Sequence, residues 1–260
     1  FSKFISFGNK ADINEIDLLR YLKEDPETHV ILMYLEDITN GREFLETARE
    51  ITWEVRKPML AIKSGRSPEG ARAAASHTGS LAGSDMAYDA IFRQSGIQRV
   101  EGVNELFNYA RAFASQPVPK GRQLAIVTNA GGPGIMATDA AVRHGLQLAS
   151  LSEQTVEKLK KDLPPTANIH NPVDVIGDAA SDRYEKALSA VIRDNGVDGA
   201  LVILTPQSMT NALGTAEAVV RVARRSPKPI LCCFMGVVDD SPGVKYLQEH
   251  GYPVYKLPED

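Results

Sequence analysis

The segment of this chain best suited to chemistry is KSGRSPEGARAAASHTGSLAGSD, residues 63–85, because it sets one histidine, His77, among glycine, alanine and serine. A strand pattern ends at Lys63. A helix pattern resumes after Ser84, which is placed as its N-cap with Asp85 in the first turn. The roughly 20 residues between them far exceed an ordinary strand-to-helix turn, and connections that long are functional or disordered. A neutral imidazole is a competent nucleophile toward phosphorus when a hydrogen-bond acceptor holds its other ring nitrogen. Small neighbours let such a side chain swing and let another backbone come close. Glu36, at a neighbouring strand tip, is the candidate acceptor. The competing reading is a surface loop with an incidental histidine.

A second segment, Thr128-Asn129-Ala130-Gly131-Gly132-Pro133-Gly134, runs from a hydrophobic strand into a glycine turn. Pro133 is placed as the first helical residue, and the exposed N–H groups of such a helix start form an anion site aided by the dipole. Gly131, Gly132 and Gly134, with Asn129 before them, are the candidate phosphate-facing residues. No Gly-Lys-Ser/Thr follows and the dinucleotide spacing fails, so neither a Walker loop nor an NAD site is expected. The competing reading is a plain tight turn. Asn171-Pro172-Val173-Asp174 reads as a turn. Thr205–Thr210 is a polar strand tip where Gln207 could hold a carboxylate or phosphate. His29, His144, His170 and His250 lack metal-ligand spacing and are read as structural, so no metal site is expected.

These residues need a frame. Short β-branched runs alternate with amphipathic stretches of 10–16 residues, the pattern of parallel sheets covered by helices. The strands predicted are Phe4–Phe7, His29–Leu35, Met59–Lys63, Gln123–Thr128, Leu146–Ala149, Ala200–Thr205, Ile230–Met235 and Val254–Tyr255. The helices predicted are Ile13–Lys23, Gly41–Val55, Asp85–Gln94, Val103–Phe113, Gly134–Arg143, Ser152–Lys161, Asp182–Asp194, Asn211–Arg224 and Val244–His250. Gln116–Gly121, with two prolines and a glycine, is the expected linker between domains spanning 1–116 and 120–260. The halves resemble each other. Thr39-Asn40 recurs as Thr210-Asn211, Lys57-Pro58 as Lys228-Pro229 and Gly65 as Gly236, always 171 residues apart (210 − 39 = 171). That ungapped register makes Glu36 and Gln207 equivalent, at strand carboxyl ends, where open parallel sheets bind ligands.

Composition limits the partners. The 260 residues are 43% hydrophobic and 24% charged, ordinary for globular domains, so either half can bury a core. Against 33 acidic residues the 29 basic ones offer no broad field for nucleic acid. No apolar run approaches the ~18 residues that span a bilayer, so no membrane association is expected. Cys232 and Cys233 are adjacent in an apolar run and are read as pointing to opposite faces of a buried strand, in a reducing, cytoplasmic setting. Beginning at Phe1 and stopping just after a strand, the chain is expected to be an excised piece.

The stretch Ser76-His77-Thr78-Gly79-Ser80-Leu81-Ala82-Gly83 resembles the phosphohistidine loop of the nucleoside-diphosphate-forming acyl-CoA synthetases, relatives of succinyl-CoA synthetase. Phe7-Gly8-Asn9-Lys10-Ala11-Asp12, Asn129–Gly134 and Asn171–Asp174 are similar to that family's other motifs, in the family's order. The resemblance implies two flavodoxin-like domains with parallel sheets flanked by helices. It implies a ligase that converts acyl-CoA, phosphate and ADP or GDP to a free small organic acid, CoA and ATP or GTP. On this resemblance His77 carries the phosphoryl group with Gly79 in its loop, Glu36 holds the imidazole, and Gly131, Gly132 and Gly134 face the phosphoryl group. The CoA-binding domain and the ATP-grasp domain, which take CoA and ATP with Mg, would lie elsewhere in a parent chain or partner subunit. Two other readings stay open: a ligand-sensing module of a multidomain protein acetyltransferase, and a scaffold joining two subunits.

Overall fold

The computed structural model describes residues 1–8, 10–67, 69, 70, 72, 73, 84–236 and 241–259. The chain divides into two compact units, Phe1–Ala114 and Ser115–Asp260. Both are α/β with parallel sheets flanked by helices. No described helix is long and apolar enough to cross a membrane.

The first unit is built on a three-stranded parallel sheet, β1 (Ile31–Leu35), β2 (Met59–Lys63) and β3 (Gln98–Arg99), in the order β1-β2-β3. Helix α1 (Glu15–Glu24) starts on a reciprocal cap, in which the Asn14 side chain accepts from the backbone of Asp17 and the Asp17 carboxylate accepts from Asn14. Helix α2 (Gly41–Arg49) opens into a π-helical segment, Glu50–Val55, and stops at Arg56 with φ of 60°. Those helices and α3 (Asp85–Ser95) bury Phe44, Ile51, Tyr88 and Phe92 against one sheet face. Leu106, on α4 (Val103–Ser115), packs with Leu60 and Ile62 in a separate core cluster.

The second unit has β4 (Gln123–Thr128), β5 (Gln147–Leu148), β6 (Val173–Asp174), β7 (Gly199–Leu204), β8 (Ile230–Phe234) and β9 (Val254–Tyr255). The order is β5-β4-β7-β8-β9, and β6 joins β4 on the same edge as β5. The helices are α5 (Gly131–Arg143), α6 (Glu153–Asp162), α7 (Ser181–Arg193), α8 (Ala212–Ala223) and α9 (Pro242–Glu249). On β8, Cys232 and Cys233 are both buried and belong to different core clusters, one on each sheet face. Burial pushes the Cys232 thiol up to about 12.

Three readings need correction. Phe4–Phe7 forms no strand: Phe4 is 87% exposed and no neighbouring strand takes up its backbone groups. Val173–Asp174, read within a turn, pairs with Val127 and Thr128. It follows a cis Asn171–Pro172 bond. The Asn171 amide fills the gap between β5 and β6, accepting from Ile126 N–H (2.9 Å) and donating to the carbonyls of Leu124 (2.7 Å) and Ala149 (3.0 Å). An amide that copies a strand's donor and acceptor looks, in sequence, like any Asn-Pro turn.

The third concerns the repeat. Helix α2 and α8 follow the 171-residue offset, each capped by an asparagine that accepts from the third helical N–H, Asn40 from Glu43 and Asn211 from Gly214. Gly65 and Gly236 share a left-handed φ of 69° and 65°. Before those helices the offset is 169. Ile31 N–H donates to Pro58 as Ala200 does to Pro229, and Ser64 N–H donates to Leu35 as Met235 does to Leu204. The connection from β7 to α8 is therefore two residues longer than that from β1 to α2. Glu36 is equivalent to Thr205, not to Gln207.

One stabilising group carries a pH signature. Asp194, buried at the end of α7, accepts from the Ser152 N–H (2.8 Å), the Ser152 hydroxyl (2.8 Å) and the Gly196 N–H (2.9 Å). Burial works to raise its pKa, but Thr155 and these donors outweigh it and hold the carboxyl at about 2, below the ordinary 3.8. A depressed folded pKa gives stability that is full above the unfolded value and lost as pH falls through the folded one. Asp194→Ala should cost about 2 kcal/mol at pH 7 and distinctly less at pH 3. Equal losses in thermal melts at both pH values would show that the carboxylate charge is not what matters.

Candidate functional site

In the first unit Glu36 follows β1 directly and is half-buried at the sheet's carboxyl end. The connection that holds it is fixed from below by a residue the sequence reading did not single out. Lys10, in a left-handed φ of 57°, donates to the Asp37 carbonyl (2.9 Å) and pairs with the Asp37 and Glu15 carboxylates, the latter at 3.0 Å. Glu15, only 3% exposed, also accepts from Thr39 N–H at 2.6 Å. Burial alone would lower the Lys10 pKa, but the two carboxylates outweigh it and raise it, so the ammonium is retained. The only sequence signal for this network was the placement of Lys10 within the quoted Phe7–Asp12 motif.

Lys63 ends β2 opposite Leu35 and is 3% exposed. Its Nζ donates to the Ser64 carbonyl and lies 4.5 Å from the Tyr88 ring centroid. Burial pushes its pKa down; Asp85, Asp37 and Glu36 pull the other way. From there the chain enters the histidine segment. His77 and Gly79 lie outside the described residues. The flanks are described: Arg66 lies 3.5 Å from Asp85, at the start of α3.

In the second unit α5 begins at Gly131, with Asn129 and Ala130 between it and the end of β4, Ala130 as N-cap and no side chain capping it. Pro133 is thus the third helical residue, not the first. Its missing N–H costs nothing there, because that position also lacks an intrahelical acceptor. Gly131 and Gly132 are exposed, and a Cβ on Gly132 would meet nothing within 4 Å. Gly134 is buried, and a Cβ there would lie 3.1 Å from Thr128 Cγ2. Two open N–H groups and the helix dipole suit an oxyanion.

Around that helix start, Asp174 Oδ2 stands 3.7 Å from the position a Gly131 Cβ would take, and Oδ1 accepts from Ile176 N–H at 2.8 Å. Ile176 holds φ of 70°, a costly conformation for a β-branched residue, of the kind that gathers at functional sites. Gln207 is exposed on the lengthened β7–α8 connection, its amide 3.2 Å from a Cβ position on Gly177. Gly131, Asp174, Gly177 and Gln207 are so brought to one rim. Asn129 is not free to join them through its side chain. It is 3% exposed and holds Thr205, accepting from its N–H (2.8 Å) and hydroxyl (3.0 Å) and donating to its carbonyl (2.8 Å). Among the described residues no group of three His, Cys, Asp or Glu could hold a metal.

Residues 1–113 match the family model described as the succinyl-CoA ligase like flavodoxin domain, and residues 124–259 match the Ligase-CoA domain. The whole chain is 42% identical to 57% of the acetate–CoA ligase [ADP-forming] II subunit alpha of Pyrococcus furiosus. It is 41% identical to 37% of the 4-hydroxybutyrate–CoA ligase [ADP-forming] of Nitrosopumilus maritimus. A solved dinucleotide forming acetyl-coenzyme A synthetase 1 of Ca. Korarchaeum cryptofilum, in complex with phosphate and ADP, superposes with a TM-score of 0.91 at 36% identity. That match covers 98% of this chain and 55% of the other. The chain thus spans between about a third and somewhat over half the length of these relatives.

Proposed function

Because the chain belongs to the family of ADP-forming acyl-CoA synthetases related to succinyl-CoA ligase, we propose that it is the phosphoryl-relay core of an acid–CoA ligase. The reaction is acyl-CoA, phosphate and a nucleoside diphosphate giving acid, CoA and the triphosphate. The observation that carries this reading is 42% identity across the full chain to a ligase subunit of that activity.

In the proposed sequence phosphate attacks the thioester carbonyl and displaces CoA, leaving an acyl phosphate. A His77 ring nitrogen then attacks phosphorus; the N–P bond forms, the P–O bond to the acyl group breaks, and the carboxylate leaves. Glu36 accepts a hydrogen bond from the other ring nitrogen and stabilises the positive charge that forms. Finally a diphosphate oxygen attacks phosphorus and frees the imidazole. The open N–H groups of Gly131 and Gly132 are offered to the phosphoryl oxygens, with Gln207 on the same rim beside Gly177. In this reading residues 1–116 form the histidine-loop domain and 120–260 the phosphate-facing one. CoA, and the nucleotide with Mg, are held by CoA-binding and ATP-grasp domains beyond this chain, and the enzyme works in the cytoplasm. No observation favours a sensing module: the relatives named above are ligases.

The test supplies the complementary nucleotide-binding domain and ATP labelled on its terminal phosphate. Acid-labile, base-stable label on this chain is expected, and its absence would end the relay reading. Glu36→Gln, nearly isosteric, should slow labelling about 10- to 100-fold with the melting temperature unchanged. An unaltered rate would remove Glu36 from the mechanism.

A further inference from the structure

We propose that the second unit binds a compact diphosphate at the amino ends of its strands, in a cleft framed by Arg193 and Arg225. Where α7 and α8 end, a cavity of about 230 Å³ opens beside the starts of β7 and β8, at the end of the sheet opposite the Gly131 helix start. Arg193, Arg221, Arg225 and Lys228 line it against a single carboxylate, Glu185. That carboxylate is taken by Arg221 at 2.8 Å. Lys228 Nζ donates to the Asp194 carbonyl at 2.6 Å, closing the end of α7, and the Asp194 carboxylate is held by Ser152 and Gly196. Arg193 and Arg225 are exposed and have no hydrogen bond or ion pair among the described residues.

Helix ends attract cations through the dipole, but this corner of the fold does not require them. Thr28 N–H donates to Asp25 as Val197 does to Asp194, and Lys57 closes α1 on the Asp25 carbonyl as Lys228 closes α7. In that register the first unit has Glu24 at the place of Arg193, Glu50 at that of Arg221 and Glu54 at that of Arg225. The same scaffold therefore folds with three acids where the second unit has three arginines. Four cations against one carboxylate leave three positive charges uncompensated, within a chain of net charge −4. A single phosphate ester carries about −1.5 to −2 and would leave part of that surplus unmet; two linked phosphates meet it. Guanidinium forks suit phosphate oxygens in bidentate pairs. The volume lies below the roughly 300 Å³ at which pockets begin to take drug-sized ligands, so the occupant is small. Inorganic pyrophosphate and the diphosphate end of a nucleotide share this chemistry.

The test titrates this chain at constant ionic strength with inorganic pyrophosphate, inorganic phosphate and ADP, read by calorimetry and by amide NMR shifts. Pyrophosphate should bind with Kd below about 1 mM and move amides within residues 192–196 and 221–228. Arg193→Gln and Arg225→Gln should each weaken it at least about 10-fold. Neither should lower the melting temperature of the free protein, since each removes a charge that its neighbours repel. Arg225→Lys, which keeps the charge without the fork, should weaken binding less than Arg225→Gln. ADP binding as tightly as pyrophosphate identifies a nucleotide as the source of the diphosphate, and weaker binding identifies the inorganic anion. Affinity unaltered in both Gln variants, or inorganic phosphate binding as tightly as pyrophosphate, overturns the proposal. Shifts confined to residues 131–134 overturn it too, since they belong to the helix start of the relay reading, on which this site does not depend.

Discussion

Replacing His77 with asparagine is expected to abolish triphosphate formation by the assembled enzyme, by at least about 1,000-fold, because the proposed relay passes the phosphoryl group through this imidazole. Asparagine keeps a polar planar side chain of similar reach, so loss of fold is not the expected cause. The half-reactions should separate. In the proposed sequence displacement of CoA by phosphate precedes any contact with the imidazole, so phosphate-dependent release of CoA from acyl-CoA should persist, stopping at the acyl phosphate. Exchange of label between di- and triphosphate, which the proposed relay routes through the histidine, should vanish with the overall reaction. Retention of more than about a tenth of the wild-type triphosphate rate would transfer the carrier role to another residue.

The second large effect is on stability. Gly243 is the second residue of α9, and a Cβ there would sit 2.7 Å from both the carbonyl carbon and oxygen of Ala212, the first residue of α8. Helix propensity favours alanine over glycine by about 1 kcal/mol. A clash against backbone cannot be relieved by a rotamer, and overpacking costs about 1–3 kcal/mol and more where backbone must shift, so the clash wins. Gly243→Ala should lower the melting temperature by about 5 °C or more, since each kcal/mol is worth roughly 2–4 °C at this size. Gly132→Ala provides the contrast: it is helical with nothing within 4 Å of its Cβ, and should leave stability unchanged or slightly raised. A Gly243→Ala protein as stable as wild type would mean that the two helices slide apart without penalty.

Periodicity made the fold class and the long strands legible: β2 and β4 have the bounds read from their apolar runs. Two-residue strands such as β3 and β6 have no period to read, and their pairing depends on partners far along the chain. The repeat was detectable from Lys57-Pro58 and Lys228-Pro229, but residue identities cannot locate a two-residue lengthening when the flanking runs are all apolar. Only the hydrogen bonds of Leu35 and Leu204 place it. The strand tip that carries Glu36 and the glycine-rich helix start at Gly131 were legible as structure because strand tips and glycine turns have local signatures. Lys10, Glu15 and the Arg66–Asp85 pair were missed because charge pairing across 5 to 19 positions leaves no such trace. The amide of Asn129 secures the tip of β7, a partnership across 76 positions that adjacency to the glycines does not reveal.

The unequal connections after β1 and β7 have a further meaning. At the tip after these strands one unit carries a carboxylate, Glu36, where the other carries Thr205, whose hydroxyl is engaged by Asn129. The load of each fold rests on strands and helices that the extra pair of residues leaves undisturbed. The same frame can therefore carry different side chains at each rim, and a substitution tolerated in one half says little about its counterpart in the other.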